Sequence, residues 1–312
     1  METKEVSGRR LVGLSNPDGG VPSGFNYGEV DSLGMSATGA KTVLITGCSS
    51  GIGRASARAF LKDEWRVYAT ARDESDLGGL VDAGCETASL DVTDDEQVRE
   101  VVSRVVDESE RLDCLVNNAG YGQFGPIEDV PIERVHEQFD VNVYGPHRLT
   151  RAVLPHMRDR GRGRIINLSS ASGRVATPGM GVYSGSKFAL EGMTDALRPE
   201  AKEYGINVVL IEPGPVDSAF DERVANELDG LERSGAYDAY YDLYQDARSL
   251  GPGSPVAVAP RVVADSILTA ANVPNPGSRY QVGSIARASE FGRFVPDRMR
   301  DKAYEVGSNV LR

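Results

Sequence analysis

A glycine-rich turn between a predicted strand and a predicted helix constrains the fold more than any other feature of this chain. Residues 42–46 read TVLIT, a short β-branched run typical of a buried parallel strand, and residues 47–53 read GCSSGIG. Such a turn leaves backbone N–H groups free at the N-terminus of the next helix, where an anion such as a pyrophosphate is stabilised. The stretch therefore predicts a βα unit with an anion site at its turn. The residues expected in that site are Gly47, Ser49, Ser50, Gly51, Ile52 and Gly53.

Further apolar runs alternate with amphipathic stretches along the chain. The runs at residues 66–71, 87–92, 113–116, 164–168 and 207–211 predict strands, and residues 279–282 predict a last strand at the sheet edge. Thr93 and Glu96 predict a capping box for the helix that follows the third strand. A long helical stretch over residues 132–158 carries Asn142 and is expected to break near Gly145-Pro146. The pattern predicts an α/β fold with one Rossmann-like, doubly wound parallel sheet and helices on both faces.

The domain boundaries follow from composition. Residues 1–39 are rich in Gly, Ser, Asn and Pro and predict a flexible lead segment, so that a chain beginning at Met35 is expected to fold and act like the longer one. Residues 40–312 form the predicted Rossmann-type domain. Within it, residues 215–260 are longer than a usual connection and carry several aromatic side chains. This stretch is either a substrate lid or the packed face of two short helices, and the sequence leaves both open.

The predicted strand ends carry polar or small residues that suit a dinucleotide. Arg72 and Asp73 follow the second strand, about twenty residues beyond the glycine turn, where a carboxylate binds the ribose hydroxyls of NAD or an arginine accommodates the 2′-phosphate of NADP. Arg72 comes first, with Ser50 as a second phosphate contact, so we favour NADP, while Asp73 keeps NAD open. Asp91 and Val92 end the third predicted strand. Small residues after the fourth let a flat ring lie against the backbone: Asn118, Ala119 and Gly120.

Tyr183 and Lys187 stand four positions apart on a predicted helix, on one face about a turn from each other. An ammonium beside a phenol favours the phenolate, so we expect the pKa of Tyr183 to fall from about 10 towards neutral pH. Ser170 ends the strand before that helix and can meet the pair at the sheet edge. A solvated helix face is the ordinary alternative for such a spacing.

Charge and composition exclude several classes of partner. The 46 acidic and 34 basic residues give a net charge of −12, which repels phosphate backbones and anionic lipid surfaces. Nucleic acid and membrane partners are therefore not expected. The three cysteines lack the spacing of a disulfide framework or a zinc site. With no apolar leader or long apolar run, a cytoplasmic location is expected.

Taken together, these motifs resemble the short-chain dehydrogenase/reductase family over residues 41–285. The matching stretches are TGCSSGIG at residues 46–53, NNAG at residues 117–120, Asn142, Ser170 and the Tyr183/Lys187 pair. The first of these and VYSGSKFALEGM are most similar to the hydroxysteroid and retinol dehydrogenase branch. The resemblance implies NAD(P)-dependent interconversion of an alcohol and a carbonyl compound.

The resemblance also implies roles for individual residues. Tyr183 would be the general acid or base, Lys187 would lower its pKa and bind the nicotinamide ribose, and Ser170 would hydrogen-bond the substrate oxygen. Asn142 would hold a water in a proton relay, and Asp91 would reach the adenine. The cofactor segment after the sixth strand would include Pro213, Gly214, Val216 and Ser218. Val216 would contact the carboxamide, and Ser218 stands where the family more often has threonine.

The sequence therefore predicts an NADP(H)-dependent oxidoreductase acting on a largely apolar ketone or aldehyde and its alcohol, without a metal. Two alternatives stay open at this point: a 3-oxoacyl reductase acting on an acyl carrier protein, and a non-catalytic NADP-binding sensor on the same fold. The family resemblance implies a homodimer or homotetramer.

Overall fold

The computed structural model describes residues 39–247 and 256–310. The predictions of a flexible lead and of a start at Met35 lie outside these residues, except for Gly39. The predicted lid lies within them apart from residues 248–255.

Seven parallel strands form one sheet in the order β3-β2-β1-β4-β5-β6-β7. The strands are β1 Thr42–Ile45, β2 Arg66–Ala71, β3 Glu86–Ser89, β4 Cys114–Asn117, β5 Gly163–Leu168, β6 Ile206–Pro213 and β7 Arg279–Val282. The α-helices are α1 Gly51–Lys62, α2 Gly78–Val81, α3 Asp95–Ser109, α4 Ile132–Phe139, α5 Gly145–Asp159, α6 Gly181–Lys202, α7 Phe220–Asp229, α8 Asp238–Ala247, α9 Pro260–Asn272, α10 Ser284–Gly292 and α11 Asp297–Val310. The strand order reverses beside β1, which is where such sheets bind ligands at the strands' carboxyl ends.

Alternate residues of each central strand enter different hydrophobic cores. Val43 and Ile45 of β1 pack in the core that α1 and α9 cover, whereas Leu44 between them packs in the core under α3 and α5. This is the period of two that a strand buried on both faces requires. The prediction of a doubly wound parallel sheet with helices on both faces is confirmed.

The N-cap of α3 differs from the predicted capping box. Asp94, not Thr93, caps the helix, and its Oδ1 accepts hydrogen bonds from the backbone N–H groups of Glu96 (2.8 Å) and Gln97 (3.1 Å). The Thr93 hydroxyl instead donates to Asp91 Oδ1 at 2.7 Å. The predicted cap was therefore one residue too early, because the Thr93 hydroxyl hydrogen-bonds to Asp91 rather than to the helix N-terminus.

The predicted third strand was too long. β3 ends at Ser89, where its partner β2 ends at Ala71, so the residues beyond Leu90 have no neighbouring strand to pair with.

The long helical stretch breaks where expected. A π-helical turn, Asp140–Tyr144, separates α4 from α5 and contains Asn142. Pro146 has no N–H, so the α-helical bond to the carbonyl of Asn142, four residues earlier, cannot form. The start of α5 also lies close to the segment after β3, since a Cβ on Gly145 would lie 2.8 Å from Cγ2 of Val92.

Candidate active site

A cavity of about 1280 Å³ opens at the carboxyl ends of the strands. Of the predicted site residues, the following line it: Gly47, Ser49, Ser50, Gly51, Ile52, Arg72, Asp91, Val92, Asn118, Ala119, Gly120, Ser170, Tyr183, Lys187, Pro213, Gly214, Val216 and Ser218. Gly53 and Asn142 lie behind this wall. A cavity of this size exceeds the range of about 300–1,000 Å³ for one drug-sized ligand. It has room for a dinucleotide and a second small molecule.

The glycine turn is folded tightly against the neighbouring strand end. Gly47 has φ +71°, and a Cβ there would lie 2.8 Å from the Cα of Ala119. A Cβ on Gly53 would lie 2.2 Å from the carbonyl oxygen of Gly47. Glycine at position 53 therefore allows this close packing, although the residue does not face the cavity. The amide of Asn118 donates to the carbonyls of Thr46 (2.8 Å) and Gly47 (3.0 Å). The two glycines thereby let the turn pack closely against the end of β4.

Thr46 is a supporting residue that the sequence analysis did not single out. Its Oγ1 accepts hydrogen bonds from the backbone N–H groups of Asn118 (3.1 Å) and Ala119 (3.0 Å). A hydroxyl at the end of an apolar strand, directly before the glycine turn, was the available signal.

Arg72 and Asp73 both follow β2, but their side chains have different surroundings. Arg72 is exposed on the cavity wall. Asp73 caps a short 3₁₀ turn, accepting from the backbone N–H (2.9 Å) and hydroxyl (2.6 Å) of Ser75, and these hydrogen bonds lower its pKa. The Asp73 carboxylate is therefore engaged in local structure.

Tyr183, Lys187 and Ser170 meet at one end of the cavity. Tyr183 and Lys187 are each only 7 % exposed, which excludes the solvated-face alternative. The Lys187 ammonium donates to the carbonyl of Leu168 at 2.8 Å and lies 5.8 Å from the centroid of the Tyr183 ring. The Ser170 hydroxyl lies close enough to the Tyr183 phenol to favour its phenolate form. A hydroxyl, a phenol and an ammonium thus converge between β5 and α6.

The expected fall in the pKa of Tyr183 was wrong. Burial raises the pKa of Tyr183 to about 12, although the nearby Ser170 hydroxyl opposes the rise. Burial also lowers the pKa of Lys187 to about 8, with the Glu191 carboxylate acting in the opposite direction. The sequence showed the spacing of the two groups but not how deeply both are buried, and desolvation opposes the charged form of each.

Aromatic rings enclose the Tyr183 phenol. The ring centroids of Phe124 and Phe220 lie 5.6 Å and 5.8 Å from that of Tyr183. Gly122 makes this packing possible, because a Cβ there would lie 2.8 Å from Phe220 and 2.9 Å from Phe124. Phe124 was missed by the sequence analysis, although a glycine two residues before an aromatic side chain was a possible signal.

Asn142 is a structural clamp in this arrangement. Its amide nitrogen donates to the carbonyl of Tyr121 (2.9 Å) and to the hydroxyl of Ser186 (3.2 Å), and its oxygen accepts from the backbone N–H of Tyr121 (3.2 Å). The side chain therefore ties the loop after β4 to helix α6.

The predicted lid contains two short helices, α7 and α8. A bridge between Val216 and Val258 closes its base, and the Tyr241 hydroxyl donates to Asp129 Oδ2 at 2.8 Å. Tyr241 is only 2 % exposed. In the described part, the packed-helix alternative holds, while a lid function stays a prediction. Arg223 of α7 also reaches the cavity wall, 4.6 Å from the centroid of the Tyr121 ring, and was not predicted.

Comparison with known proteins agrees with this architecture. Residues 41–229 match the family model described as short chain dehydrogenase. The chain is 38% identical to human 17-beta-hydroxysteroid dehydrogenase type 1 over 76% of each chain. A short-chain dehydrogenase from Streptomyces avermitilis superposes with a TM-score of 0.73 at 34% identity, covering 90% of this chain and 100% of that one. A metagenomic short-chain oxidoreductase in complex with NADP superposes with a TM-score of 0.62 at 28% identity, covering 79% and 98%.

The parallel sheet, the glycine turn and these matches define an NAD(P)-dependent dehydrogenase or reductase. The chain belongs to the short-chain dehydrogenase/reductase family, as its motifs predicted.

Proposed function

We propose that this protein is an NADP(H)-dependent oxidoreductase that interconverts a largely apolar ketone or aldehyde and its alcohol, with Tyr183 as the general acid or base. The observation that carries the proposal is the meeting of Tyr183, Ser170 and Lys187 at the aromatic end of a cavity whose other wall is the glycine turn. Ionisable groups of this kind in a shared cleft are typical of a catalytic site.

The residues of the cavity suit a dinucleotide. Gly47 lines the cavity at a turn packed too closely for a Cβ, and Ser50 and Arg72 lie on the same wall. When bound, the nicotinamide supplies or accepts the hydride. In this proposal Arg72 donates hydrogen bonds to the 2′-phosphate, and the engagement of Asp73 with Ser75 supports NADP over NAD. We assign Asp91 to the adenine and Val216 to the carboxamide.

The reacting groups act on the substrate oxygen. In reduction, Ser170 donates a hydrogen bond to the oxyanion that develops on the carbonyl oxygen, and Tyr183 donates its proton to it. The raised pKa of Tyr183 keeps this proton in place before the reaction. The Lys187 ammonium stabilises the phenolate that remains, and the same groups work in reverse during oxidation.

After Tyr183 has donated its proton, a new proton must reach it from solvent. We assign Asn142 to this path, because it lies in the π-helical turn, where Pro146 has no N–H to donate to its carbonyl. The clamp of its side chain on Tyr121 and Ser186 fixes that carbonyl in position.

The proposed substrate is apolar because apolar side chains surround the reacting groups. Phe124 and Phe220 flank Tyr183, and Val175, Met180 and Ile285 continue the wall. A relative named as a hydroxysteroid dehydrogenase acts on a compound of this character.

We also propose that the protein works in the cytoplasm as a homodimer or homotetramer. Phe188 and Met193 on α6 are both 41% exposed, an apolar surface that self-association would cover. Among the described helices, none has the length and apolar character needed to cross a bilayer.

The proposal is tested by following cofactor consumption with NADPH and NADH against steroid, retinoid, aliphatic and aromatic carbonyls, with an acyl-carrier thioester in the same panel. We expect turnover with NADPH on an apolar carbonyl. Turnover confined to the thioester would identify a 3-oxoacyl reductase instead. Tight NADPH binding without turnover of any substrate would favour a sensor.

A further inference from the structure

A cluster of charges, buried except for Asp195, lies directly behind the catalytic end of the cavity. The Arg279 guanidinium, at the start of edge strand β7, is its hub. Its Nη1 donates to Glu191 of α6 and, at 2.5 Å, to Glu212 Oε1 of β6, while its Nη2 contacts both carboxylate oxygens of Asp195 at 2.7 Å. Arg174 adds a second guanidinium, 3.7 Å from Glu191 Oε2. Such a cluster calls for a functional explanation, because the desolvation penalty of buried charges usually exceeds the free energy of their mutual attraction.

One carboxylate of this cluster shares a helix face with Lys187. Glu191 follows Lys187 by one turn of α6 and is only 4 % exposed. Gly173 lies against both: a Cβ there would be 3.1 Å from Glu191 Cγ and 3.3 Å from Lys187 Cβ. Both side chains are therefore buried on one face of α6, against the backbone at Gly173.

We propose that Glu191, held in its ionised form by Arg279, is a positioning residue that keeps Lys187 in the ammonium form beside Tyr183. The inference rests on the proposed function only for the roles of Lys187 and Tyr183. The ion pairs themselves and the burial of the two α6 side chains are features of the fold.

The charges around both groups give the direction of the effect. Lys187 faces Tyr183 and Glu191 on α6 and the carbonyl of Leu168 at the end of β5. Burial lowers the pKa of Lys187, and the Glu191 carboxylate raises it. Removing this negative charge therefore makes Lys187 lose its proton at lower pH.

Glu191 in turn depends on its own neighbours. Around it lie Arg279 of β7, Glu212 of β6, Asp195 of α6, and Arg174 and Ser169 from the segment after β5. Burial raises the pKa of Glu191, the nearby Glu212 carboxylate raises it further, and Arg279 opposes both. Without the guanidinium, two adjoining buried carboxylates would hold a proton between them.

The direct test is an NMR titration of Lys187 in the cofactor-free, full-length protein. The chain has six lysines, so protein made with isotope-labelled lysine gives few Cε signals, and the loss of one in Lys187→Arg assigns it. We expect a midpoint near 8 in the unaltered protein. In Glu191→Gln we expect this midpoint to fall by about 1 pH unit.

Matched variants separate this role from a structural one. Asp195→Asn removes another carboxylate from the same guanidinium, two turns from Lys187, and should leave the Lys187 midpoint unchanged. Glu191→Asp keeps the charge on a shorter side chain and should lower the midpoint less than Glu191→Gln does. Glu191→Asp also provides the test if Glu191→Gln does not fold. An unchanged Lys187 midpoint in the folded Glu191 variants would overturn the inference, as would an equal fall in Asp195→Asn.

The pH dependence of kcat/KM for carbonyl reduction supplies the functional readout. Since the ammonium form of Lys187 is required, the basic limb of the profile should move to lower pH in Glu191→Gln. Well above both midpoints, this variant should be about tenfold less active, and near pH 6 it should approach the unaltered protein. A fully active Tyr183→Phe would refute the proposed function and leave the titration result standing, so the two failures are distinguishable.

Discussion

Arg72 is the residue on which the proposed cofactor choice depends. It is exposed on the cavity wall at the end of β2, where a 2′-phosphate is expected. A charge-assisted hydrogen bond contributes about 1.5–3 kcal/mol, so Arg72→Ala should raise KM for NADPH by about 10- to 100-fold. KM for NADH, which lacks that phosphate, should change little. Steady-state kinetics with both cofactors make the measurement.

The adjacent Asp73 provides the control for this prediction. Its carboxylate accepts both hydrogen bonds from Ser75 and caps a turn, so Asp73→Ala should leave both KM values close to those of the unaltered protein. If Asp73→Ala raises KM for NADH, or Arg72→Ala weakens both cofactors equally, the preference for NADP is wrong.

At the scale of elements, helix α8 depends on hydrogen bonds to the short turn Ile127–Asp129. The buried Tyr241 hydroxyl donates to Asp129, whereas the exposed Tyr237 hydroxyl donates to Glu128 at 2.5 Å. A buried hydrogen bond contributes about 1 kcal/mol, and leaving its acceptor unsatisfied costs more. Tyr241→Phe should therefore let the segment around α8 open more often.

Limited proteolysis measures that opening. Cleavage within residues 230–247 should be several-fold faster in Tyr241→Phe than in the unaltered protein, because cleavage follows the population of the open form. Tyr237→Phe, which removes the same group from an exposed pair, should be cleaved at the unaltered rate. Equal rates in all three proteins would show that Asp129 does not hold α8 in place.

The elements themselves differed in how well the sequence predicted them. The strand before the glycine turn was predicted because a short β-branched apolar run is a local property of the chain. The α3 cap was misplaced because Thr93, Asp94 and Asp91 are all suitable partners in sequence, and only the path of the chain after β3 decides between them. The break at the π-helical turn was predictable, since Pro146 removes a backbone donor wherever the helix lies.

Across the whole molecule, the sheet order brings distant motifs to one edge. Residues as far apart as Gly47 and Ser218 line the same cavity, and the motif order predicted this because the carboxyl ends of parallel strands share one edge. Burial was not predictable in the same way. The pKa of Tyr183 rises because its ring is buried, partly by Phe124 from the segment after β4 and Phe220 of α7. The proposed charge on Lys187 depends on Glu191 and on Arg279 of β7. Such contacts exist only in the assembled fold.

The measurement that tests the central claim most directly is kcat for NADPH-dependent reduction of an active apolar carbonyl by the unaltered protein and by Tyr183→Phe. Loss of the proton donor should lower kcat by about 100- to 10,000-fold. NADPH affinity and the thermal unfolding midpoint should be retained. Tyr68→Phe, which removes a hydroxyl that donates to Glu108 away from the cavity wall, should keep full activity. A Tyr183→Phe protein with the kcat of the unaltered protein would contradict the account.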